Sequence, residues 1–283
     1  MANILYGVDV AKAINQRSKE GIAYCLEKGV QPTLVVLRVG AREDDLAYER
    51  GIIKKCETLD IQVKHVVLDE NVDKDEFYKK LDDLNADSSV HGILMFRPLP
   101  KHLDNEMARK KLNPAKDVDG CTDGSLVGVF TNTDTGFAPC TAQAAIEILD
   151  YYGIEIKGKN VAVLGRSLVV GKPVSMLLTN RNATVTICHT KTVNTKEITK
   201  KSDIIIACTG QMESLDASYF SEGQTIIDVG ISWNNQKNKL CGDVLFESVE
   251  PIVANITPVP KGVGSVTTSI LINHVVEACK RTL

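Results

Sequence analysis

The chain has 283 residues, of which 43% are apolar and 24% charged, so it can bury the cores of about two ordinary domains and is not expected to be disordered. Its formal net charge is −3 and its Lys and Arg residues are dispersed, which disfavours nucleic acid as a partner. The first residues lack the leader of a signal peptide, and no apolar run approaches the roughly 20 residues that span a bilayer. We therefore expect a cytoplasmic protein that does not associate with membranes.

Eight cysteines occur without any Cys-x-x-Cys pair. Most lie inside apolar segments, and disulfides are rare in the reducing compartment expected for this protein. The spacing also lacks the paired cysteines of a zinc site. The cysteines are therefore predicted to be reduced, buried thiols, and no metal site is predicted.

Apolar strands alternate with amphipathic helical stretches through the first half of the chain. This alternation predicts βαβ units and a parallel sheet. In chain order the predicted elements are a helix over about 9–28, a strand over 33–40, a helix over 44–59, a strand over 62–69, a helix over 74–86 and a strand over 91–96.

A second series of elements follows a loop-rich stretch after Asp119 that holds four glycines and a proline, and the domain junction is predicted there. Its strands are apolar nearly throughout, as expected for a parallel sheet covered on both faces. The predicted elements are helices over 141–152 and 171–181, strands over 160–165, 183–189, 203–208, 225–230 and 255–259, and a last helix over about 266–281.

The segment from Asn160 to Pro173 is a buried strand that leads through a glycine and a polar turn into a helix beginning near Gly171. A helix N-terminus presents unpaired N–H groups that can bind phosphate where the backbone comes close. The G-x-G-x-x-G spacing is absent, so an ordinary tight turn is the alternative.

The next predicted strand ends in His189, Thr190 and Lys191 without an acidic residue. A site for NAD usually places Asp or Glu there to bind the ribose 2′-hydroxyl, whereas a 2′-phosphate requires cations and hydroxyls. Together with Arg166 in the preceding turn, this pattern favours NADP over NAD. His189 is interpreted as an ordinary strand-end histidine without a catalytic role.

Several motifs together resemble the methylenetetrahydrofolate dehydrogenase/cyclohydrolase family, in family order and over essentially the whole chain. They are Pro-Ala-Lys-Asp-Val-Asp-Gly at 114–120, Pro-Cys-Thr at 139–141, Gly-Arg-Ser-Leu-Val-Val-Gly-Lys-Pro at 165–173, Thr-Val-Thr-Ile-Cys-His at 184–189, Ile-Asp-Val-Gly-Ile at 227–231, Gly-Asp-Val at 242–244 and Ile-Thr-Pro-Val-Pro at 256–260.

The resemblance implies an α/β fold of two domains with a cleft between them, and a homodimer. Residues 1–119, completed by a C-terminal helix at 269–283, would form an αβα folate-binding catalytic domain, and 120–268 a Rossmann-like NAD(P) domain. The substrates would be one-carbon derivatives of tetrahydrofolate.

The resemblance also implies site residues. Tyr48 and Asp119 would contact folate, in a pocket that also includes positions 52, 96 and 97 and the turn of Pro260, Gly262, Val263 and Gly264. The cofactor-binding residues would be Gly165, Arg166, Ser167, Thr190 and Ile231, with Thr267 near the nicotinamide. From the residues alone, Asp119 could instead cap a turn and Tyr48 could pack in a core.

The chain departs from the family where hydrolysis is concerned. The family's Tyr-x-x-x-Lys becomes Tyr48 and Ile52, and the Gln of its Val-Gln-Leu-Pro-Leu-Pro stretch becomes Phe96, followed by Arg97 in place of Leu. Lys55, seven residues after Tyr48, returns to nearly the same helical face one turn farther along. Lys55 and Arg97 are therefore candidate catalytic substitutes, the alternative for each being a solvated surface charge.

Three functions remain open at this point. The first is an NADP-dependent methylenetetrahydrofolate dehydrogenase that retains full or reduced methenyltetrahydrofolate cyclohydrolase activity. The second is a monofunctional dehydrogenase, and the third is a non-catalytic protein that binds folate or a nucleotide.

Overall fold

The computed structural model describes residues 1–283, which form two compact units. The six-stranded unit comprises Met1–Lys12 and Pro139–Thr267, and the three-stranded unit comprises Ala13–Ala138 and Thr268–Leu283. The change of unit at 138/139 differs from the boundary predicted after Asp119. The intervening residues belong with the three-stranded unit because Ser125 bonds Asp117 and Arg281 donates to the Gly136 carbonyl.

The three-stranded unit has a parallel sheet in which β2 (Thr33–Val39) lies between β3 (Gln62–Leu68) and β4 (Gly92–Met95). As the central strand, β2 is buried at every position. Its helices are most of α1 (Gly7–Glu27), α2 (Glu43–Thr58), α3 (Lys74–Ala86), α4 (Asn105–Lys111), α5 (Asp123–Thr131) and α10 (Thr267–Lys280).

The six-stranded unit has a fully parallel sheet of order β1-β11-β8-β7-β5-β6. Its strands are β1 (Asn3–Ile4), β5 (Asn160–Leu164), β6 (Thr184–Cys188), β7 (Ile204–Ala207), β8 (Thr225–Asp228) and β11 (Asn255–Ile256), with an antiparallel hairpin of β9 (Ser232–Asn234) and β10 (Lys239–Cys241). Its helices are α6 (Cys140–Tyr151), α7 (Gly171–Asn180), α8 (Thr195–Lys200) and α9 (Phe246–Val249).

The strand order of the larger sheet reverses beside β5. From β5 the chain continues to β6 on one side and then to β7 on the other. Open parallel sheets bind ligands at the carboxyl ends of the strands at such a switch point. The fold therefore predicts a ligand-binding site at the carboxyl end of β5, next to Leu164.

The structure adds elements that the sequence did not predict, namely β1, α4, α5, α8, α9 and the β9–β10 hairpin. The stretch interpreted as a loop after Asp119 contains α5, which corrects that interpretation. All eight cysteines are free. Six of them are buried, as predicted, whereas Cys121 and Cys208 are half-buried. None of the helices is both long and apolar enough to cross a membrane, and no group of three or more His, Cys, Asp or Glu side chains could hold a metal ion.

Candidate active site

The turn after β5 depends on two glycines. Gly165 has a φ of 144°, and a Cβ at Gly165 would collide with the Cys208 carbonyl. A Cβ at Gly171, the first residue of α7, would collide with the Gly165 carbonyl. Because only glycine fits at these positions, the backbone at the start of α7 stays open to a close approach, which is what phosphate binding requires.

A cavity of about 490 Å³ opens at the carboxyl ends of β5, β6 and β7. Four of the six predicted cofactor residues line it, which supports their assignment. The lining residues include Gly165, Arg166, Ser167, Cys188, His189, Thr190, Thr192, Thr195, Cys208, Thr209, Gln211, Ser214, Leu215 and Tyr219.

The lining of the cavity contains one arginine and several hydroxyls but no carboxylate. At the end of β6, His189 accepts a hydrogen bond from the Lys191 backbone N–H at Nδ1 (3.1 Å), and the His189 N–H donates to Thr192 Oγ1 (2.9 Å). These bonds shape the turn at the strand end, in keeping with a non-catalytic His189. The environment fits a 2′-phosphate better than a 2′-hydroxyl.

The remaining predicted residues of the six-stranded unit lie together outside that lining. Ile231 is exposed, and a Cβ built on Gly264 would be 3.9 Å from Ile231 Cδ1. Thr267 Oγ1 donates to the Gly264 carbonyl (3.3 Å). Pro260 follows a cis peptide bond, and Val263 is buried, while a Cβ on Gly262 would collide with the Pro258 carbonyl.

The three-stranded unit brings four predicted folate residues into two adjacent pairs. The ring of Tyr48 on α2 packs edge-on against Phe96, with centroids 5.9 Å apart. Just after Phe96, Arg97 Nη2 lies 3.8 Å from Asp119 Oδ2. The Tyr48 side chain is 42% exposed, so it is not a core residue.

Asp117 holds the turn that precedes α5. The fully buried Asp117 carboxylate accepts hydrogen bonds from Cys121 N (3.0 Å), Thr122 N (2.7 Å) and Ser125 Oγ (2.6 Å). The Asp119 side chain is 35% exposed. The Asp117 carboxylate therefore caps this turn, while the Asp119 side chain stays partly accessible beside Arg97.

The structure places no amine at the position of the family's lysine. Ile52 is fully buried, on the stripe of α2 that also carries Asp45, Glu49 and Cys56. Lys55 is half-buried beside Lys19. Burial lowers the pKa of Lys55, and the positive charge of Lys19 lowers it further. A catalytic role for Lys55 stays a prediction.

Sequence reasoning missed a set of charged contacts around α2, in which Arg38, Asp45 and Glu49 are buried. Arg38 Nε donates to Glu49 Oε2 (2.9 Å), and Glu49 Oε1 lies 3.1 Å from His65 Nδ1. Arg42 binds both oxygens of Asp45 (2.7 and 2.9 Å). The sequence contained a signal for these contacts. Asp45 and Glu49 lie four residues apart on the buried stripe of α2, and Arg38 lies in an otherwise apolar strand.

Two buried carboxylates of the six-stranded unit were also missed. Asp228 ends β8 and Asp243 follows β10, and both are almost completely buried. Burial, opposed by hydrogen bonds from backbone N–H groups, raises the pKa of Asp228 to about 7. In the sequence, their motifs indicate only the family resemblance.

A parallel sheet with a glycine turn and a cavity at its switch point defines the class of dinucleotide-binding α/β proteins. The model "Tetrahydrofolate dehydrogenase/cyclohydrolase, catalytic domain" matches residues 5–119, and "Tetrahydrofolate dehydrogenase/cyclohydrolase, NAD(P)-binding domain" matches 139–283. The chain therefore belongs to the tetrahydrofolate dehydrogenase/cyclohydrolase family. The predicted resemblance and the two-domain α/β fold are confirmed.

Similar proteins agree over the full length of the chain. The "Bifunctional protein FolD" of Clostridium botulinum (strain 657 / Type Ba4) is 47% identical over 281 residues, covering 99% of each chain. The structure of the bifunctional FolD enzyme from Campylobacter jejuni superposes with a TM-score of 0.95 at 33% identity and covers 100% of both chains. The Trypanosoma brucei FolD, solved with NADP and an inhibitor, has a TM-score of 0.90 at 34% identity and covers 99% of this chain and 98% of its own.

Proposed function

We propose that this enzyme oxidises 5,10-methylenetetrahydrofolate to 5,10-methenyltetrahydrofolate with NADP, and then hydrolyses the product to 10-formyltetrahydrofolate in a slower step. The observation that carries the proposal is the cavity at the end of β5, which has Arg166 and hydroxyls but no carboxylate. Family membership supplies the reaction.

Bound NADP supplies the hydride acceptor, and the chain supplies binding and orientation. Gly165 and the start of α7 would hold the phosphates that link the two nucleosides. Arg166, Ser167 and Thr190 would bind the 2′-phosphate, since a guanidinium and hydroxyls form strong hydrogen bonds to phosphate oxygens. Ile231 and Thr267, close to one another through Gly264, would contact the nicotinamide end.

The folate residues act by positioning. The Asp119 carboxylate would accept hydrogen bonds from the pterin amino and ring N–H groups, and the exposed face of Tyr48 would stack on the aminobenzoyl ring. Arg97 places a guanidinium next to Asp119, which can orient or stabilise charge at the folate residues. Hydride transfer needs few protein groups beyond such orientation.

The hydrolytic step is the one weakened by the departures from the family. Ile52 and Phe96 are both buried and apolar, so neither can give or take a proton as water adds to the methenyl carbon. General acid–base help typically contributes about 10²–10⁴ in rate. We therefore propose that hydrolysis is slow relative to hydride transfer.

One assay tests both steps. The enzyme is supplied with methylenetetrahydrofolate and either NADP or NAD, and the methenyl absorbance is followed as it rises and decays, against a blank without enzyme. We expect faster reduction of NADP and a methenyl intermediate that accumulates. Equal rates with both cofactors would contradict the cofactor proposal, and decay as fast as formation would contradict slow hydrolysis.

We further propose that the enzyme is a cytoplasmic homodimer. The family resemblance supports the homodimer, and eight free cysteines support a reducing compartment. Sedimentation of the purified protein at micromolar concentration should give twice the mass of one chain, and a monomer mass would contradict the proposal.

A further inference from the structure

Asp228 and Asp243 form a buried acidic pair in the six-stranded unit, and neither makes an ion pair. The Asp228 carboxylate is bonded to backbone instead. Its Oδ1 accepts from Gly230 N (3.0 Å) and Asp243 N (3.1 Å), and its Oδ2 accepts from Val244 N (2.9 Å). Asp228 therefore fixes the segment that carries Asp243.

Asp243 in turn binds the loop that follows β7. Its Oδ2 accepts hydrogen bonds from Thr209 N (2.5 Å) and Gly210 N (3.1 Å). Thr209 and the preceding Cys208 line the cavity. The Cys208 carbonyl packs against Gly165, in the turn after β5. The Asp243 carboxylate thus holds one wall of the cavity from behind.

The second oxygen of Asp243 points to the neighbouring loop. Oδ1 is buried without a hydrogen-bond partner, and it lies so near Gly230 that a Cβ there would collide with it. An unpartnered buried acceptor destabilises a fold. Asp243 thus leaves one oxygen unsatisfied while the other fixes the backbone of the cavity wall.

We propose that Asp243 is a positioning residue for the dinucleotide. It acts through the backbone of Thr209 and Gly210 and does not touch the cofactor itself. The inference rests on the proposed use of NADP. It assigns a role in cofactor binding to a buried residue that lies behind the cavity wall.

The test compares Asp243→Asn with Asp203→Asn in the full-length protein. Asp203 accepts a backbone hydrogen bond from Asn160 N (2.8 Å), so it is an exposed carboxylate bonded to backbone at the opposite, amino end of β5. Charge-assisted hydrogen bonds are roughly twice as strong as neutral ones. We expect Asp243→Asn to weaken NADP binding about tenfold in a calorimetric titration, from the weakening of two such bonds, while the KM for the folate and kcat stay near wild type.

Asp203→Asn should lower the melting temperature without changing the affinity for NADP. An NADP affinity of folded Asp243→Asn within twofold of wild type would overturn the inference and leave the proposed function intact. A wild-type protein that does not bind NADP would instead contradict the proposed function.

Amide hydrogen exchange of the wild-type protein keeps the inference testable if Asp243→Asn does not fold. NADP should slow exchange in the segment 207–211, which includes the two amides bonded to Asp243. Unchanged exchange in that segment at saturating NADP would overturn the inference.

Discussion

The guanidinium of Arg97 lies 3.8 Å from the carboxylate of Asp119, so the residue assigned to anchor the pterin has a positive neighbour. The Arg97 backbone carbonyl in turn accepts a bond from Arg42 Nη2 (3.5 Å), and Arg42 is tied to Asp45 on α2. The charge pattern at the folate residues of this enzyme is thus connected to the helix that carries Tyr48.

Replacing Asp119 with Ala should raise the folate KM by at least about tenfold, because charge-assisted hydrogen bonds to the pterin are lost. The turn should survive because Asp117 holds it. Steady-state kinetics, NADP titration and thermal melting of the variant check this. Asp117→Ala is the structural control and should lower the melting temperature markedly. A parallel loss of NADP affinity and melting temperature in Asp119→Ala would show that Asp119 is structural.

Replacing Ile52 with Lys, together with Phe96→Gln, should raise the rate of hydrolysis relative to hydride transfer by about tenfold or more, since it supplies a titratable amine. The new lysine would lie three residues from Glu49 on the same helical stripe, which can offset part of the cost of burying its charge. Product ratios in the coupled assay measure the change. Ile53→Lys, one position along α2, is the matched control and should leave the ratio unchanged.

The substitutes suggested by the sequence are tested by Lys55→Ala and Arg97→Ala in the natural background. Because the charged neighbour of Lys55 is Lys19, we expect Lys55→Ala to leave both steps within about twofold, as for most surface changes. Arg97→Ala should raise the folate KM by less than about fivefold, the range of a half-exposed ion pair. A selective collapse of hydrolysis in either variant would identify that residue as the substitute.

Arg166→Ala should weaken binding of NADP by about 1–3 kcal/mol relative to NAD, since a charge-assisted bond to the 2′-phosphate is lost. The kcat/KM ratio for the two cofactors measures this preference. Lys172→Ala serves as the control, because Lys172 is on α7 but does not line the cavity. Equal losses for both cofactors in Arg166→Ala would remove Arg166 from the 2′-phosphate site.

Asp228 should make the stability of the six-stranded unit depend on pH. Its folded-state pKa is raised to about 7 from 3.8, so between these values the folded protein holds a proton that the unfolded chain has released. The free energy of unfolding therefore falls as pH rises through this window. The asparagine of Asp228→Asn does not titrate. The difference in the free energy of unfolding between Asp228→Asn and wild type should therefore shift in favour of the variant by roughly 2–3 kcal/mol from pH 5 to pH 8.

Urea unfolding followed by the single tryptophan, Trp233 in the six-stranded unit, measures this difference. Asp216→Asn is the control: hydrogen bonds from Ser218 lower the pKa of that exposed carboxyl, which is ionised at both pH values. A constant difference between Asp228→Asn and wild type would mean that Asp228 does not titrate in this range.

The strongly periodic elements could be predicted from the sequence, and α3 has the predicted bounds. The helix α5 could not, because its glycines suggest a loop. In the structure they allow close packing: a Cβ on Gly124 would collide with Pro114, and one on Gly128 with the Thr135 carbonyl. A sequence does not distinguish a glycine needed for a turn from one needed for contact.

The parts of the site that follow a strand were predictable, since a parallel sheet brings its carboxyl ends together. Arg166, Ser167 and Thr190 indeed line one cavity. The roles of Asp228 and Asp243 were not predictable, because their partners are backbone N–H groups whose direction depends on the folded loops. The same holds for Arg38 and Glu49, which meet only after α2 packs on the sheet.

The crossings of the chain between the two units have a consequence for how the protein is made. Strand β1 at Asn3–Ile4 pairs with β11 at Asn255–Ile256, and α10 supplies His274, which bonds the Val118 carbonyl (2.9 Å). During synthesis the first strand must therefore wait for a partner that leaves the ribosome some 250 residues later. Each unit therefore needs segments from both ends of this sequence, and a fragment that begins at 139 lacks the edge strand of its own sheet.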